Sequence, residues 1–366
     1  MQARDIISVI EQFAPLPFQE SYDNSGLQVG DASQEITGVL VSFDITEAVL
    51  AEAMARHCNM IVAHHPLIFS GLKKLTGQNY VARTVQQAIK NDLVLYAAHT
   101  NLDNVRQGVN HEMAQRLGLQ NTTLLDMKAE TLSKLYTYVP RESADKVRDA
   151  LFAAGAGNIG KYRECSFNTD GTGTFRPDAD ADPAIGEAGG PREWVEEVKV
   201  EVLVQRHLEA KVLQALFKAH PYEEVAYEFV HLHNANQEVG SGIIGELPQA
   251  LETDAFLSLL KEKLKTGCIR YTQPAGRPIR KVALCGGSGS FLLGKAIAAG
   301  ADAFVTGDFK YHQFFDADGR VLIADVGHYE SEQYTPHLLQ RLLKEKFPNF
   351  AILLADAKTN PVNYFY

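Results

Sequence analysis

The stretch Asn59-Met60-Ile61-Val62-Ala63-His64-His65-Pro66 joins a short apolar run to two adjacent histidines and a proline. The apolar run predicts a buried β-strand, and the proline ends regular structure directly after the histidine pair. Histidine is the most common metal ligand in proteins, so a pair at the end of a buried strand suggests a metal site. The competing interpretation is a pair of core histidines bonded to polar neighbours, because short motifs often arise by chance.

The residues on either side repeat the pattern of a short apolar run followed by a polar residue. We predict strands at Gly38–Asp44, Met60–Ala63 and Leu93–Ala98, and a helix at Thr46–Arg56. Such alternation favours an α/β layer structure with a largely parallel sheet. Asp44, His64 and His99 each follow an apolar run, and in open α/β sheets ligands bind outside the carboxyl ends of the strands.

The composition limits the class of protein. With 366 residues and 45% hydrophobic residues, the chain is long enough for two or three globular domains. Its net charge of -10 argues against a partner bound by phosphate neutralisation, so we expect no nucleic acid. Four scattered cysteines without a Cys-x-x-Cys pair favour the reducing cytoplasm. We find no signal-peptide core and no apolar run near the roughly 18 residues of a membrane helix, so we expect a cytoplasmic protein without a membrane partner.

The order of predicted helices and strands changes between residues 129 and 240. The predicted order is β-α-β-β-α-β, with an extended hairpin in the second β position, which is typical of a ferredoxin-like module. These elements are Leu135–Val139, Ser143–Ala154, Arg163–Arg176, Val195–Gln205, Glu209–Ala219 and Val225–His231. The α/β rhythm returns after residue 241. We therefore predict a discontinuous α/β domain made of residues 1–128 and 241–366, with an inserted α+β domain at residues 129–240.

Two further strand ends carry candidate metal ligands. Asp103 follows the strand at Leu93–Ala98, although a helix N-cap for residues 104–117 is an alternative role. His328 and Glu332 follow a strand at Val321–Ala324 and share one face of a predicted helix at the i, i+4 spacing of helix-borne metal pairs. Glu330 is interpreted as an acid that favours the helix N-terminus.

Together these segments supply five nitrogen and oxygen ligands, namely His64, His65, Asp103, His328 and Glu332. A single catalytic zinc site uses three protein ligands, so five favour two ions that share one bridging carboxylate. Mixed imidazole and carboxylate ligands are compatible with Zn, Fe, Mn or Co. The sequence therefore predicts two divalent metal ions per subunit and does not select the element.

Two other segments offer weaker signals. Asp308, Tyr311 and His312 follow a strand and either orient a substrate and transfer protons or form a capped, exposed turn. The run Gly286–Ser290 is either an anion-binding turn or, as we favour, a tight turn from strand to helix. As a dinucleotide fingerprint it fails, because Leu292 stands where the third glycine is needed.

Read as one set, the motifs resemble the NIF-three-like family, whose members are labelled GTP cyclohydrolase I type 2 homologues. The motifs are Tyr22–Gly30, Ala63–Phe69, His99–Asp103, Thr306–Asp308 and Gly327–Glu332, and they span essentially the whole chain. The resemblance implies one metal on His65 and Asp103, another on His64 and His328, and Glu332 as the bridge. It also places His99 beside this site. Tyr22 stands where many members have Trp.

The middle segment resembles the inserted module of the longer bacterial members, which is similar to the PII and CutA folds. Phe175–Pro177, Ala184–Gly186 and Ala219–Glu224 carry this likeness. The resemblance implies a homohexamer, a ring of dimers or trimers, with the metal sites facing an internal cavity.

These observations lead to a functional hypothesis. We expect a metal-dependent hydrolase that acts on a nucleotide or related small molecule, with His99 or His312 assisting proton transfer. The alternative is a non-enzymatic regulatory protein that responds to a metal or a ligand through the inserted domain. A third possibility is a nucleotide-binding module that uses Gly286–Ser290.

Overall fold

The computed structural model describes residues 1–273 and 276–365. The chain divides into two compact units. The outer unit consists of Met1–Asp126 together with the chain from Glu238 onward, and the middle unit is Met127–Gln237. The middle unit begins two residues before the start of the insertion predicted at 129–240, and it ends three residues before the predicted end. None of the helices in the described residues combines the length and apolarity needed to cross a membrane.

The first segment alternates helices and strands, as its sequence predicts. The helices are α1 (Ala3–Phe13), α2 (Glu47–Ala55), α3 (Tyr80–Lys90), α4 (Thr100–Asp103) and α5 (Val109–Arg116), and the strands are β1 (Gly26–Val29), β2 (Val39–Ser42), β3 (Met60–Ala63), β4 (Val94–Ala97) and β5 (Gln120–Met127). The helix predicted from Asn104 begins only at Val109. Asn104 is instead the C-cap of α4, and its side chain donates to the Phe18 carbonyl at 2.8 Å. Asp103 therefore ends a short helix and does not cap a long one.

The middle unit has the predicted β-α-β-β-α-β order. Its elements are β6 (Leu132–Pro140), α6 (Ala144–Ala153), β7 (Ser166–Phe175), β8 (Glu193–Gln205), α7 (Glu209–Ala219) and β9 (Tyr227–Leu232). They form an antiparallel sheet in the order β7-β8-β6-β9. The hairpin predicted at Arg163–Arg176 is wrong, because β7 is a single strand. Its partner is β8, which pairs with all ten of its residues.

The third segment returns to the outer unit. Its elements are β10 (Gly240–Leu251), α8 (Thr253–Leu264), β11 (Arg270–Tyr271), β12 (Ile279–Ser288), α9 (Leu293–Ala298), β13 (Ala303–Gly307), β14 (Leu322–Asp325), α10 (His328–Glu332), α11 (Thr335–Lys346) and β15 (Ile352–Leu354). Short 3-10 helices lie at Leu16–Phe18, Arg141–Ser143, Arg206–Leu208, Ser290–Leu292 and Tyr311–Ala317.

Two mixed sheets build the outer unit. The first has the order β1-β4-β3-β2-β15 and is parallel except for β1, and the second has the order β11-β14-β13-β12-β10-β5, with β12, β13 and β14 parallel. The parallel strands β2, β3 and β4 are buried along their whole length, because helices cover both faces of such sheets. The candidate ligands therefore follow the carboxyl ends of parallel strands from both sheets.

The second sheet depends on a fully buried aromatic residue. Phe304 on β13 packs in a cluster with Leu292 and Ile323 and has no exposed surface. We expect Phe304→Ala to lower the free energy of unfolding by about 3–5 kcal/mol, since it removes apolar contacts and leaves a cavity. Urea unfolding followed by circular dichroism measures this. The control Phe291→Ala, at a residue 66% exposed, should change the value by less than about 0.5 kcal/mol. Equal losses in the two variants would contradict the assignment of this core.

Candidate metal centre

His64 leaves the end of β3 and is completely buried. Its Nδ1 donates to the Ala98 carbonyl at 2.8 Å, because a carbonyl oxygen can only accept. The Nε2 atom of the same ring faces two carboxylates. It lies 3.7 Å from Asp103 Oδ1 and 3.7 Å from Glu332 Oε2.

His65 and His328 have the same arrangement with carboxylates in place of the carbonyl. The Nδ1 of His65 is 2.7 Å from Asp44 Oδ1, and the Nδ1 of His328 is 2.7 Å from Asp308 Oδ2. Their Nε2 atoms lie 3.4 and 3.2 Å from Glu332 Oε2 and 3.3 Å from each other. Each of these rings is thus held at Nδ1 and directs Nε2 to one carboxylate, the usual arrangement of metal-binding histidines.

Three buried polar atoms at this point have no hydrogen-bond partner among the described residues. They are His64 Nε2, Asp103 Oδ1 and Glu332 Oε2. Burial of polar or charged atoms without partners is costly, and native structures leave few of them. A cation at this position would satisfy all three, and imidazole nitrogen with carboxylate oxygen is a suitable donor set. The residues present therefore fit a metal ion.

The structure groups the candidate ligands in three sets. Each set keeps its ligand atoms within 4.8 Å of one another, and the sets are His64, Asp103, Glu332; His65, His328, Glu332; and His64, His65, His99. Glu332 belongs to the first two, as expected of a bridge. The pairing differs from that implied by the family resemblance, which puts His65 with Asp103 and His64 with His328. Adjacent side chains diverge, so that His64 turns towards α4 while His65 turns towards α10.

The glycine run makes room for the shared carboxylate. Gly287 has a φ of +60°, and a Cβ there would lie 2.5 Å from Glu332 Oε1. A Cβ at Gly286 would lie 3.0 Å from Glu332 Cγ. The backbone N–H groups of Gly286, Gly287 and Gly289 donate to Asn110 Oδ1, Ser331 Oγ and Thr306 Oγ1. These three amides are therefore not available to hold a phosphate. The strand β12 continues to Ser288, so it includes part of the turn predicted at Gly286–Ser290.

The charges of the cluster perturb one another. Burial lowers the pKa of His65 and of His328, but hydrogen bonds with Asp44 and Asp308 and the nearby Glu332 carboxylate more than offset it. The pKa of His65 rises to about 9 and that of His328 to about 11. Burial also works to raise the pKa of Glu332, yet the three nearby imidazoles hold it well below its usual range. For Asp103, burial and the nearby Glu332 carboxylate raise the pKa.

His99 lies beside the cluster, as the resemblance implies. Its ring is edge-on to His64 and to His65, with centroids 5.3 Å apart in both cases. Its Nδ1 is 2.7 Å from Asp23 Oδ1, and Asp23 Oδ2 accepts from Ser25 Oγ at 2.8 Å and from Thr100 N at 3.0 Å. Burial opposes ionisation, but these bonds hold the pKa of Asp23 far below its usual range.

The structure does not bring His312 into the cluster. It lies exposed on the 3-10 helix Tyr311–Ala317, with its ring 5.2 Å from that of Tyr311. None of the three ligand groups in the described residues includes it. Asp308 from the same segment instead holds His328, with a left-handed φ of +59°. Such strained backbone is concentrated at functional sites.

Sequence reasoning did not assign the partners Asp23 and Asp44 to the histidines they hold. The signal for Asp44 was its place at a strand end, and that for Asp23 was its place in the motif Tyr22–Gly30. Both partners lie at least 21 residues from their histidines, so no local spacing connects them.

A cavity of about 440 Å³ adjoins the cluster. Its lining includes His65, His328, Phe43, Arg270 and Tyr329. The Tyr329 ring meets the Phe43 ring edge-on, with centroids 5.2 Å apart. The volume lies in the range of about 300–1,000 Å³ that is usual for small-molecule sites.

Comparison with known proteins agrees with this architecture. The family model Duf34/NIF3 (NGG1p interacting factor 3) matches residues 1–361. A relative from Halalkalibacterium halodurans named GTP cyclohydrolase 1 type 2 homolog is 38% identical over 365 residues, which is 98% of each chain. A relative of the same name from Bacillus subtilis is 37% identical over 370 residues, covering 100% of this chain and 99% of its own.

Solved structures agree over the same length. A Bacillus cereus protein related to NIF3 superposes with a TM-score of 0.87 at 37% identity, covering 100% of this chain and 99% of its own. A Staphylococcus aureus protein gives a TM-score of 0.79 at 29% identity, with the same coverage. Because sequence and structure match from end to end, the chain belongs to the Duf34/NIF3 family.

Proposed function

We propose that this protein is a metal-dependent hydrolase that holds two divalent ions and acts on a nucleotide or a related small molecule. The observation that carries the proposal is the convergence of three buried atoms, His64 Nε2, Asp103 Oδ1 and Glu332 Oε2, that lack a partner in the described part of the chain. Native structures leave few buried polar atoms without a hydrogen-bond partner, so a purely structural cluster does not account for three at one point.

The ligand sets support two ions. His64 and Asp103 would hold one, His65 and His328 the other, and Glu332 both. Zn, Fe and Mn all accept such ligands. Bound there, the ions would supply Lewis-acid activation of the substrate and of water.

His99 is the residue to which we assign proton transfer. Its Nδ1 donates to Asp23 Oδ1, whose low pKa keeps that carboxylate an acceptor. The opposite edge of the His99 ring lies beside His64 and His65, where we assign the transfer of a proton. The exposed position of His312 gives it no comparable role.

The cavity beside the cluster supports an anionic, partly planar substrate. The Arg270 side chain is 57% exposed, and its guanidinium bonds Asp325 and the Phe309 carbonyl, which use two of its five possible N–H donations. The lining also contains four acids, Asp44, Asp308, Asp325 and Glu330, so a phosphate would depend on Arg270 and on the bound metal ions to balance its charge. A base would meet Phe43 and Tyr329. The name of the two relatives, GTP cyclohydrolase 1 type 2 homolog, makes guanine nucleotides the first compounds to test, without deciding the reaction.

The assembly and the class of the middle unit belong to the same proposal. Its β-α-β-β-α-β order and antiparallel sheet support a ferredoxin-like, PII/CutA-like domain at residues 129–240. The homohexamer implied by the family resemblance is to be measured by light scattering of the purified chain.

The alternative function is a non-enzymatic protein that responds to a metal or a ligand. Such a protein would hold the same metal ions but would catalyse no reaction. A protein that binds stoichiometric metal but converts no member of a nucleotide and phosphoester panel would favour this alternative.

Metal content gives the first test. We expect two ions per chain in the wild type, one in His64→Ala, and neither held tightly in Glu332→Gln, because Glu332 is shared. Mass spectrometry of anaerobically purified protein measures the content. His233→Ala, at a side chain 91% exposed, is the control and should retain both ions. Full metal content in Glu332→Gln would contradict the shared-ligand assignment.

Proton release gives the second test. A histidine must be deprotonated to bind a metal, and the raised pKa values of His65 and His328 keep their protons on at pH 7. Zinc binding should therefore strengthen from pH 6 to pH 8, by about tenfold per pH unit for each proton displaced. Titration calorimetry in buffers of different ionisation enthalpy counts those protons. Asp308→Asn removes a carboxylate that raises the pKa of His328, so it should release fewer. Binding without proton release would refute this account.

Turnover gives the third test. On any substrate found in the panel, His99→Ala should slow turnover by about 10²–10⁴-fold, as expected for loss of a general base. Its metal content should stay unchanged. His312→Ala serves as the matched histidine control and should retain full activity. If His312→Ala were the slower variant, the assignment of His99 would fall.

A further inference from the structure

A second cavity, of about 650 Å³, lies within the middle unit. Its floor is the face of the sheet that presents Tyr138, Glu197 and Lys199, and β7 supplies one wall from Thr169 to Phe175. Loop residues from Pro177 to Ala184 and from Tyr222 to Ala226 line the rest. The volume fits a small-molecule site.

The alternation along β8 explains why this face of the sheet is open. Val198, Val200 and Val202 are buried in the core cluster that includes residues of α6 and α7. Side chains alternate between the two faces of a strand, so Glu197 and Lys199 lie on the opposite face. Both line the cavity.

One carboxylate is built into the cavity wall. Glu197 Oε1 accepts from the Tyr222 hydroxyl at 3.0 Å. Its other oxygen lies against Gly173, where a Cβ would come within 2.0 Å of Oε2. The missing side chain at residue 173 therefore gives the carboxylate its place. The Tyr222 ring also meets the Phe175 ring, with centroids 5.7 Å apart, so an aromatic pair adjoins the acid.

The charges of the lining favour a cation. The lining contains four acids, Asp170, Glu197, Glu223 and Glu224, and one base, Lys199. Lys199 is 3.3 Å from Glu201 and 4.3 Å from the centroid of the Tyr136 ring, so other groups already hold it. Asp170 pairs with Arg141 at 2.9 Å, and Glu223 accepts from the Asp182 backbone. Glu197 remains as the acid that adjoins the aromatic pair.

A metal ion is not the cation that these acids favour. In the described residues, all three groups of potential ligand atoms within 4.8 Å belong to the outer unit. The acids of this cavity thus do not converge as a metal site does. An organic cation instead matches a single carboxylate beside two aromatic rings, because ammonium groups bind both.

We propose that the middle unit binds, in this cavity, a small molecule that joins a protonated amine to an apolar or aromatic body. The amine pairs with Glu197, and the body packs against Phe175 and Tyr222. This site is separate from the metal centre in its residues and does not depend on the hydrolase function.

The test uses phenethylamine, which is protonated at pH 7, on the full-length protein. Two probes of similar shape, 2-phenylethanol and 3-phenylpropanoate, replace the cation by a neutral and an anionic group. We expect saturable binding of phenethylamine in titration calorimetry, with the anion unbound. Glu197→Gln should weaken binding by about tenfold, the usual cost of losing a charged hydrogen bond. Tyr222→Phe keeps the ring and should weaken it less.

Matched variants complete the design. Gly173→Ala should weaken binding as Glu197→Gln does, because the new Cβ displaces the carboxylate. A matched glycine outside the cavity is Gly294 on α9 of the outer unit, where a new Cβ has nothing within 4 Å; Gly294→Ala should bind as the wild type does. Glu196→Gln removes an acid whose side chain is 81% exposed on the next position of β8, and should also leave binding unchanged. Metal-free protein should bind phenethylamine as well as loaded protein does.

Several results would overturn the proposal. One is equal binding of the three probes, and another is phenethylamine binding that Glu197→Gln leaves unchanged. Absence of saturable phenethylamine binding would also overturn it. So would a change of molecular mass in light scattering for Gly173→Ala, since the cavity would then be a contact between copies of the chain.

Discussion

The outer unit is organised around one buried carboxylate. Glu332 has a side chain only 4% exposed, and its Oε2 lies within 3.7 Å of Nε2 atoms from His64, His65 and His328. An ionised group buried so deeply needs compensation from nearby positive or polar groups. The three rings provide this compensation only while their Nε2 atoms are directed at Glu332. Hydrogen bonds at Nδ1, to the Ala98 carbonyl, Asp44 and Asp308, fix that orientation. Strand ends from both sheets must meet for this to happen.

Local pattern predicts the elements that are decided locally. The strand Met60–Ala63 has the bounds expected from its apolar run. The i, i+4 spacing of His328 and Glu332 places both on α10, with Nε2 of the first 3.2 Å from Oε2 of the second. Long-range contacts decide the rest. Asn104 ends α4 and donates across 86 residues to Phe18, and β7 pairs with β8 beyond a loop. The pairing of the ligands depends on side-chain direction after β3, which no spacing in the sequence encodes.

The candidate metal centre draws its residues from both ends of the chain. His64 and Asp103 come from the first segment, and His328 and Glu332 come from the last, with 224 residues between Asp103 and the next of these along the chain, His328. Both segments must therefore fold together before the cluster exists. The entropic cost of closing so long a loop rises only slowly with its length, so a folded insertion of this size is tolerated. Metal binding and folding of the outer unit are expected to be linked, because the unfolded chain has no such cluster.

Gly287 shows how far the demands of the centre reach. Its φ of +60° disfavours any residue with a Cβ, and a Cβ would in addition collide with Glu332 Oε1 at 2.5 Å. Two independent restrictions, one on the backbone and one on space, thus act at a residue that has no functional group. Random mutagenesis selected for metal binding should find residue 287 as intolerant as the ligands themselves. A position can therefore be indispensable to chemistry through the volume it leaves empty.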